Sequence, residues 1–268
     1  MNSRRCDPWT TMAAFVFMIA AFVTSCFAGG DAPFPVPLST DTIVERLMAA
    51  NGRRAEALRG YRGKRFYHLD YHGFLGGHEA EMQVQATYIA PDRKDFKIVS
   101  ESGSKLLLSR VLMKLLDSEQ EAQRQQNRQE LELTPKNYEF ALTETQHAAD
   151  GDFYVLTVTP RRRTKYLYRG KIWVEARNFA VARMEGEPVK NPSFWISHTQ
   201  IEYRWANIAG FWLPVHNQSV TQVRMGGKAL LTIDYTEYQI VGINPATARQ
   251  SSETPELPPP GAVSGAPH

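Results

Sequence analysis

Apolar positions recur along the chain in two rhythms. Between Ser39 and Leu58 they return every three to four residues, at Ile43, Val44, Leu47 and Met48, with Ala55 and Leu58 extending the stripe. That spacing predicts an amphipathic helix. Ser39, Thr40 and Asp41 each suit its N-cap, and Thr42 with Glu45 has capping-box spacing. Gly60 and Gly63 end it, and the period falls to two. Tyr67, Leu69 and Tyr71 alternate with Phe66, His68 and Asp70; after a turn at Gly73, Gly76 and Gly77, Met82, Val84, Ala86 and Tyr88 alternate with Glu81, Gln83, Gln85 and Thr87. A third strand starts at Phe96, Ile98 and Ser100, after Pro91-Asp92.

From Ser104 to Glu130 no Gly or Pro interrupts the chain. Its first half, Leu106 to Leu116, is apolar almost all round, and its second half is polar. This predicts a second helix whose first half must be covered by protein or docked into a cavity. Beyond Pro135 the period of two returns to the end of the body. It predicts strands at 138–146, 153–159, 166–175, 180–186, 195–206, 211–224 and 229–241, joined by turns at 149–152, 177–178 and 225–227. The expectation is an α+β fold: a single meander of about ten strands forming a strongly curved antiparallel sheet, a half or open β-barrel, with both helices over its concave face.

The ends read differently from the body. Arg4 and Arg5 precede an apolar run from Met12 to Val23, followed by small residues from Thr24 to Gly30. That order predicts an export signal over residues 1–28, the run being short of the roughly 20 residues a membrane span needs. Two processing routes stand open. Val23-Thr24-Ser25-Cys26 fits lipoprotein processing, with Cys26 acylated; ordinary cleavage after Ala28 fits as well. An uncleaved anchor is the plainer alternative. Residues 29–38 form a Pro-rich tether, 39–243 the folded domain, and 244–268, with Pro258-Pro259-Pro260, a disordered tail.

Composition adds two constraints. Losing Arg4, Arg5 and Asp7 takes the formal net charge of +3 to about +2, too little to argue for nucleic acid. Both cysteines, Cys6 and Cys26, lie in the N-terminal segment, so the domain has no disulfide and rests on its packed core.

Chemical motifs are few. His68, Asp70 and His72 share one strand face, with His78 across the turn, a spacing that could bind zinc but reads better as a solvated face; no metal site is assigned. Ser102-Gly103-Ser104-Lys105 matches Ser-x-x-Lys without its companion motifs, and Ser104 reads as an N-cap. Arg161, Arg162 and Arg163 with Lys165 read as a solvated hairpin tip, or as a contact for anionic lipid or an acidic partner. No complete catalytic constellation is present, so the expectation is a non-enzyme without a cofactor.

Two stretches carry a resemblance. One is Tyr168-Arg169-Gly170-Lys171-Ile172-Trp173-Val174-Glu175 with Val181-Ala182-Arg183-Met184-Glu185-Gly186; the other is Gly210-Phe211-Trp212-Leu213-Pro214. Together with the order of elements over residues 39–243, they resemble the outer-membrane lipoprotein-sorting family, the LolA/LolB-like fold shared with the sigma-factor regulator RseB. The resemblance implies a periplasmic half-barrel whose apolar concavity, lidded by helices, holds the acyl chains of a lipid or lipoprotein. The concave wall would then take Trp173, Trp195 or Ile196, Tyr203 or Trp205, Trp212 and Tyr235, under a lid of helix 104–116 bearing Leu107, Val111 and Leu115. The plainer alternative is a filled core. An RseB-like envelope sensor touching a membrane partner is the second functional reading, favoured by the polar helix extension and the tail.

Overall fold

The computed structural model describes residues 38–73, 76–122, 132–164, 167–191, 196–224 and 226–242. Cys26, Trp195, Lys165, residues 29–37 of the tether, the tail and residues 123–130 of the second predicted helix lie outside them. The described residues belong to one compact unit, Pro35–His268.

Helix α1 runs from Thr40 to Ala57. Of the three cap candidates Ser39 serves, its hydroxyl accepting from Thr42 N at 3.2 Å. Ile43, Val44, Leu47, Ala50 and Ala57 are buried, while Met48 is exposed. Ten strands follow: β1 (Gly60–Gly73), β2 (Gly76–Ile89), β3 (Arg93–Gly103), β4 (Tyr138–Ala148), β5 (Gly151–Pro160), β6 (Tyr168–Glu175), β7 (Ala180–Pro188), β8 (Ile196–Ile208), β9 (Phe211–Val223) and β10 (Gly227–Ile240). Between β3 and β4 lie α2 (Lys105–Leu107), a π-helical turn (Leu108–Leu112) and α3 (Met113–Ala122). No helix among the described residues is long and apolar enough to cross a membrane.

All ten strands form one antiparallel sheet in the order β3-β2-β1-β10-β9-β8-β7-β6-β5-β4. This corrects the single meander. β1 pairs with β10, from Tyr61↔Ile240 to Gly73↔Gly227, so sequence neighbours β3 and β4 become the two outer edges. The barrel is therefore open. The helical insertion lies between these two strands in sequence and packs on the β2–β3 side. Register shifts at Arg62/Lys64, Leu142/Glu144, Trp173/Val174 and Arg204/Trp205 mark bulges, which add local twist and bend.

One sheet face is buried. On β1 it takes Tyr61, Arg65, Tyr67 and Leu69; on β2, Ala80, Met82, Val84 and Ala86. Leu107, Leu108, Leu112 and Leu116 pack into this half of the sheet with Tyr67, Leu69, Met82, Val84 and Ile233, a filled core. α1 instead contacts β4 and β7. Its start is held where Leu142 N donates to Thr40 Oγ1 at 3.2 Å. Its end is held by Arg54, which donates to the carbonyls of Asn178 and Phe179 in the β6–β7 turn, each at 2.9 Å.

Gly170 and Gly186 face each other across β6 and β7. A Cβ on Gly170 would lie 1.9 Å from the Glu185 carbonyl oxygen, and Gly170 has φ 158°. Gly170→Ala is expected to destabilise the fold by up to about 3 kcal/mol through overpacking. Gly52, in α1, has nothing within 4 Å of its added Cβ. Gly52→Ala is expected to stabilise by about 0.5–1 kcal/mol through helix propensity. Urea unfolding of the two variants measures both, and equal midpoints would show that the β6–β7 crossing tolerates a side chain.

Candidate functional site

The strands that α1 crosses are not filled to the helix. A cavity of about 510 Å³ lies there, within the size range of small-molecule sites. α1 contributes Asn51, Arg54 and Ala55 to its wall, its C-cap Leu58 joins them, and Leu133 lies before β4 and Tyr138 at its start. Tyr168, Ile172, Val181 and Met184 come from β6 and β7; Tyr203, Trp205, Phe211, Trp212 and Leu213 come from β8 and β9. Strand alternation explains the set. Tyr168 and Ile172 have the same parity on β6, and the register puts Ile172 opposite Met184 and Met184 opposite Tyr203.

The lining is apolar with a few polar groups. Tyr203 stacks on Trp205, ring centroids 5.6 Å apart. Burial pushes the Tyr203 phenol well above its ordinary value, as do the nearby phenols of Tyr168 and Tyr235. Burial raises Tyr168 and Tyr138 too. These phenols therefore stay neutral at physiological pH. Arg54 is the charged member of the lining. Burial, then the neighbouring Arg53, lower its pKa to about 10, which leaves it protonated at neutral pH. Trp212 is held differently: its indole Nε1–H is buried and has no acceptor among the described residues. Such a donor costs free energy unless an acceptor reaches it. Among the described residues, the lining offers no carboxylate, histidine, serine or cysteine.

The residues expected from the sequence divide. Tyr203 and Trp212 line the cavity, and so does Trp205, the alternative to Tyr203. Tyr235 stands on the same face but in the other half of the sheet, packed against the α2–α3 core. Trp173 is on the opposite face, a correction that register forces: it pairs with Arg183, one residue out of phase with Ile172 and Val174. There Arg183 sits over its ring, 4.9 Å from the centroid, and its Nε1 donates to Gln146 Oε1 at 2.8 Å.

The expected lid needs correcting too. None of residues 104–116 lines this cavity; Leu107 is buried and Leu115 partly buried in the filled core, while Val111 is 38% exposed. α1 covers the cavity instead. The signal for it was present in Ala55 and Leu58, which extend the α1 stripe toward its end.

The Arg161–Arg163 run braces a loop. Arg161 pairs with Glu139 at 2.9 Å, Arg162 donates to Asn137 Oδ1 at 3.0 Å, and Arg163 to the Val189 carbonyl at 3.4 Å. Ser104 caps α2, its hydroxyl accepting from Leu107 N at 3.5 Å.

A second polar cluster escaped the sequence reading. Arg65, 3% exposed, binds Glu119 of α3 through two hydrogen bonds of 2.6 and 3.1 Å, and Lys94 reaches the same carboxylate at 2.5 Å. The Arg65 guanidinium lies 5.0 Å from the ring centroids of both Phe96 and Tyr235. Burial alone would raise the Glu119 pKa, but Lys94 and Arg65 outweigh it and bring it to about 2. This cluster fastens α3 to β1 and β3.

The chain is similar to LolA-superfamily and lipoprotein-sorting proteins. A LolA superfamily protein from Nitrosomonas europaea is 13% identical, with 78% of this chain and 96% of that one covered at a TM-score of 0.32. An outer-membrane lipoprotein-sorting protein domain from Vibrio parahaemolyticus is 10% identical, with 79% and 98% covered at 0.39. The MucA/MucB complex of Pseudomonas aeruginosa matches at 11% identity, with 78% and 97% covered at 0.25. No protein-family model matches the chain, and no curated protein matches it.

Proposed function

We propose that this protein binds the acyl chain of a lipid or lipoprotein in the bacterial cell envelope, without catalysis, in the cavity beneath α1. The observation that carries the reading is the apolar lining of that cavity, Ile172, Met184, Phe211 and Leu213 among it, combined with two polar fixtures, Arg54 and the unpartnered Trp212 Nε1–H. An acyl chain suits the first, and the ester or acid oxygens of a lipid suit the second. The export segment read at residues 1–28 supports a periplasmic location, with Cys26 as the residue that would tether the protein if it is acylated. One acyl group alone holds a protein to a membrane only weakly.

The test is a titration of the purified protein with a fluorescent long-chain acyl probe, alongside mass spectrometry of co-purifying lipid. Met184→Trp fills the cavity and is expected to weaken probe binding at least tenfold, about 1.4 kcal/mol. Leu106→Ala, on a residue 62% exposed on α2, is expected to leave binding unchanged. If Met184→Trp binds the probe as well as the parent protein does, the cavity is not the site.

A further inference from the structure

The face of the sheet turned away from Tyr67, Leu69 and Met82 gathers a different set of donors. β1 and β2 pair in strict register there, with His68 opposite Glu81 and Asp70 opposite Glu79. His68 Nδ1 lies 3.3 Å from Glu81 Oε1 and 3.5 Å from Glu79 Oε1. One ligand atom from each of the three residues falls within a 4.8 Å group.

Those separations are those a metal ion asks for. Zinc binds imidazole nitrogen at about 2.0–2.1 Å and carboxylate oxygen at about 2.0–2.2 Å, in a tetrahedron. Two ligands of such an ion sit roughly 3.4 Å apart by that geometry. The nitrogen-to-oxygen distances at His68 already match it, on two strands fixed by their ladder. Along β1 itself, Asp70 and His72 form their own pair, His72 Nε2 to Asp70 Oδ2 at 3.0 Å. The partners that His68 needed were across the hairpin.

A third strand supports the arrangement. Ser102, opposite Glu81 on β3, donates its hydroxyl to Glu81 Oε2 at 3.4 Å, leaving Oε1 directed at His68. A partner on the outer oxygen of a carboxylate ligand is the kind of support that orients metal ligands. The three side chains are 34%, 62% and 41% exposed for His68, Glu79 and Glu81, so an ion has a path in and a fourth position open to water.

We propose that His68, Glu79 and Glu81 bind one divalent transition-metal ion of the zinc class, with water as its fourth ligand, on the sheet face opposite the acyl cavity. One imidazole and two carboxylates suit such an ion, whereas calcium takes six to eight oxygens. The site is separate from the cavity and does not depend on it.

Isothermal titration of the metal-stripped full chain, made without a histidine tag, with zinc chloride tests this, with native mass spectrometry to count ions. One zinc per chain is expected, with a micromolar or tighter Kd. His68→Ala and the double change Glu79→Gln/Glu81→Gln are each expected to weaken it at least tenfold, and His72→Ala to leave it unchanged. Circular dichroism of these variants should match the parent, since the side chains are partly exposed. Absence of saturable uptake, or uptake by His68→Ala equal to that of the parent, overturns the proposal.

Discussion

Glu119→Ala is expected to cost about 3–5 kcal/mol of folding stability, the usual penalty for leaving a buried charge without its partner. Arg65 has no route to water at 3% exposure, and Lys94 is 11% exposed, so both cations would face each other across the space the carboxylate filled. Urea denaturation measures the loss. The double variant Arg65→Met/Glu119→Leu should lose much less than the sum of its singles, because an apolar pair removes the desolvation cost with the charge. A Glu119→Ala midpoint within about 0.5 kcal/mol of the parent would show that α3 is held by its leucines alone. The same pair predicts acid sensitivity. Glu119 is depressed from 4.5 to about 2, so its contribution is full above pH 4.5 and is lost as pH falls toward 2. That shift corresponds to about 3 kcal/mol. The acid-induced loss should vanish in the double variant.

Leu112→Ala is expected to cost about 2–5 kcal/mol, while Val111→Ala costs about 0.5 kcal/mol or less. The two residues are neighbours in a π-helical turn, yet Leu112 is fully buried and Val111 is 38% exposed. Thermal unfolding of the pair checks which face of the insertion meets the sheet. Equal losses would mean that the insertion turns a different face inward, and would reopen it as a cavity lid.

That contrast shows where sequence reading ran out. The strands and α1 were legible because one rhythm ruled each of them. In Leu106-Leu107-Leu108 and Val111-Leu112-Met113 every face is apolar, so periodicity cannot choose one. Ile172-Trp173-Val174 fails for the same reason: three apolar residues in a row have no parity of their own, and pairing with β5 and β7 decides it. Arg65 is the opposite case. It shares the parity of Tyr67 and Leu69, and a charge on a buried face requires a counter-charge. The pattern announced the need, but Glu119, 54 residues away in the polar part of a helix, gave no local sign of answering it. That the Trp212 Nε1–H lacks an acceptor among the described residues left no sign in the sequence, because it depends on every neighbour at once.

The β1–β10 ladder joins residues about 150 to 180 positions apart in sequence, the kind of pairing that slows folding. The first strand of the body to emerge thus completes its ladder only with the last. Until β10 arrives, the β1 edge that it pairs with stays open. Such a chain finishes its fold late, because the strand that opens the sheet waits for the strand that ends it.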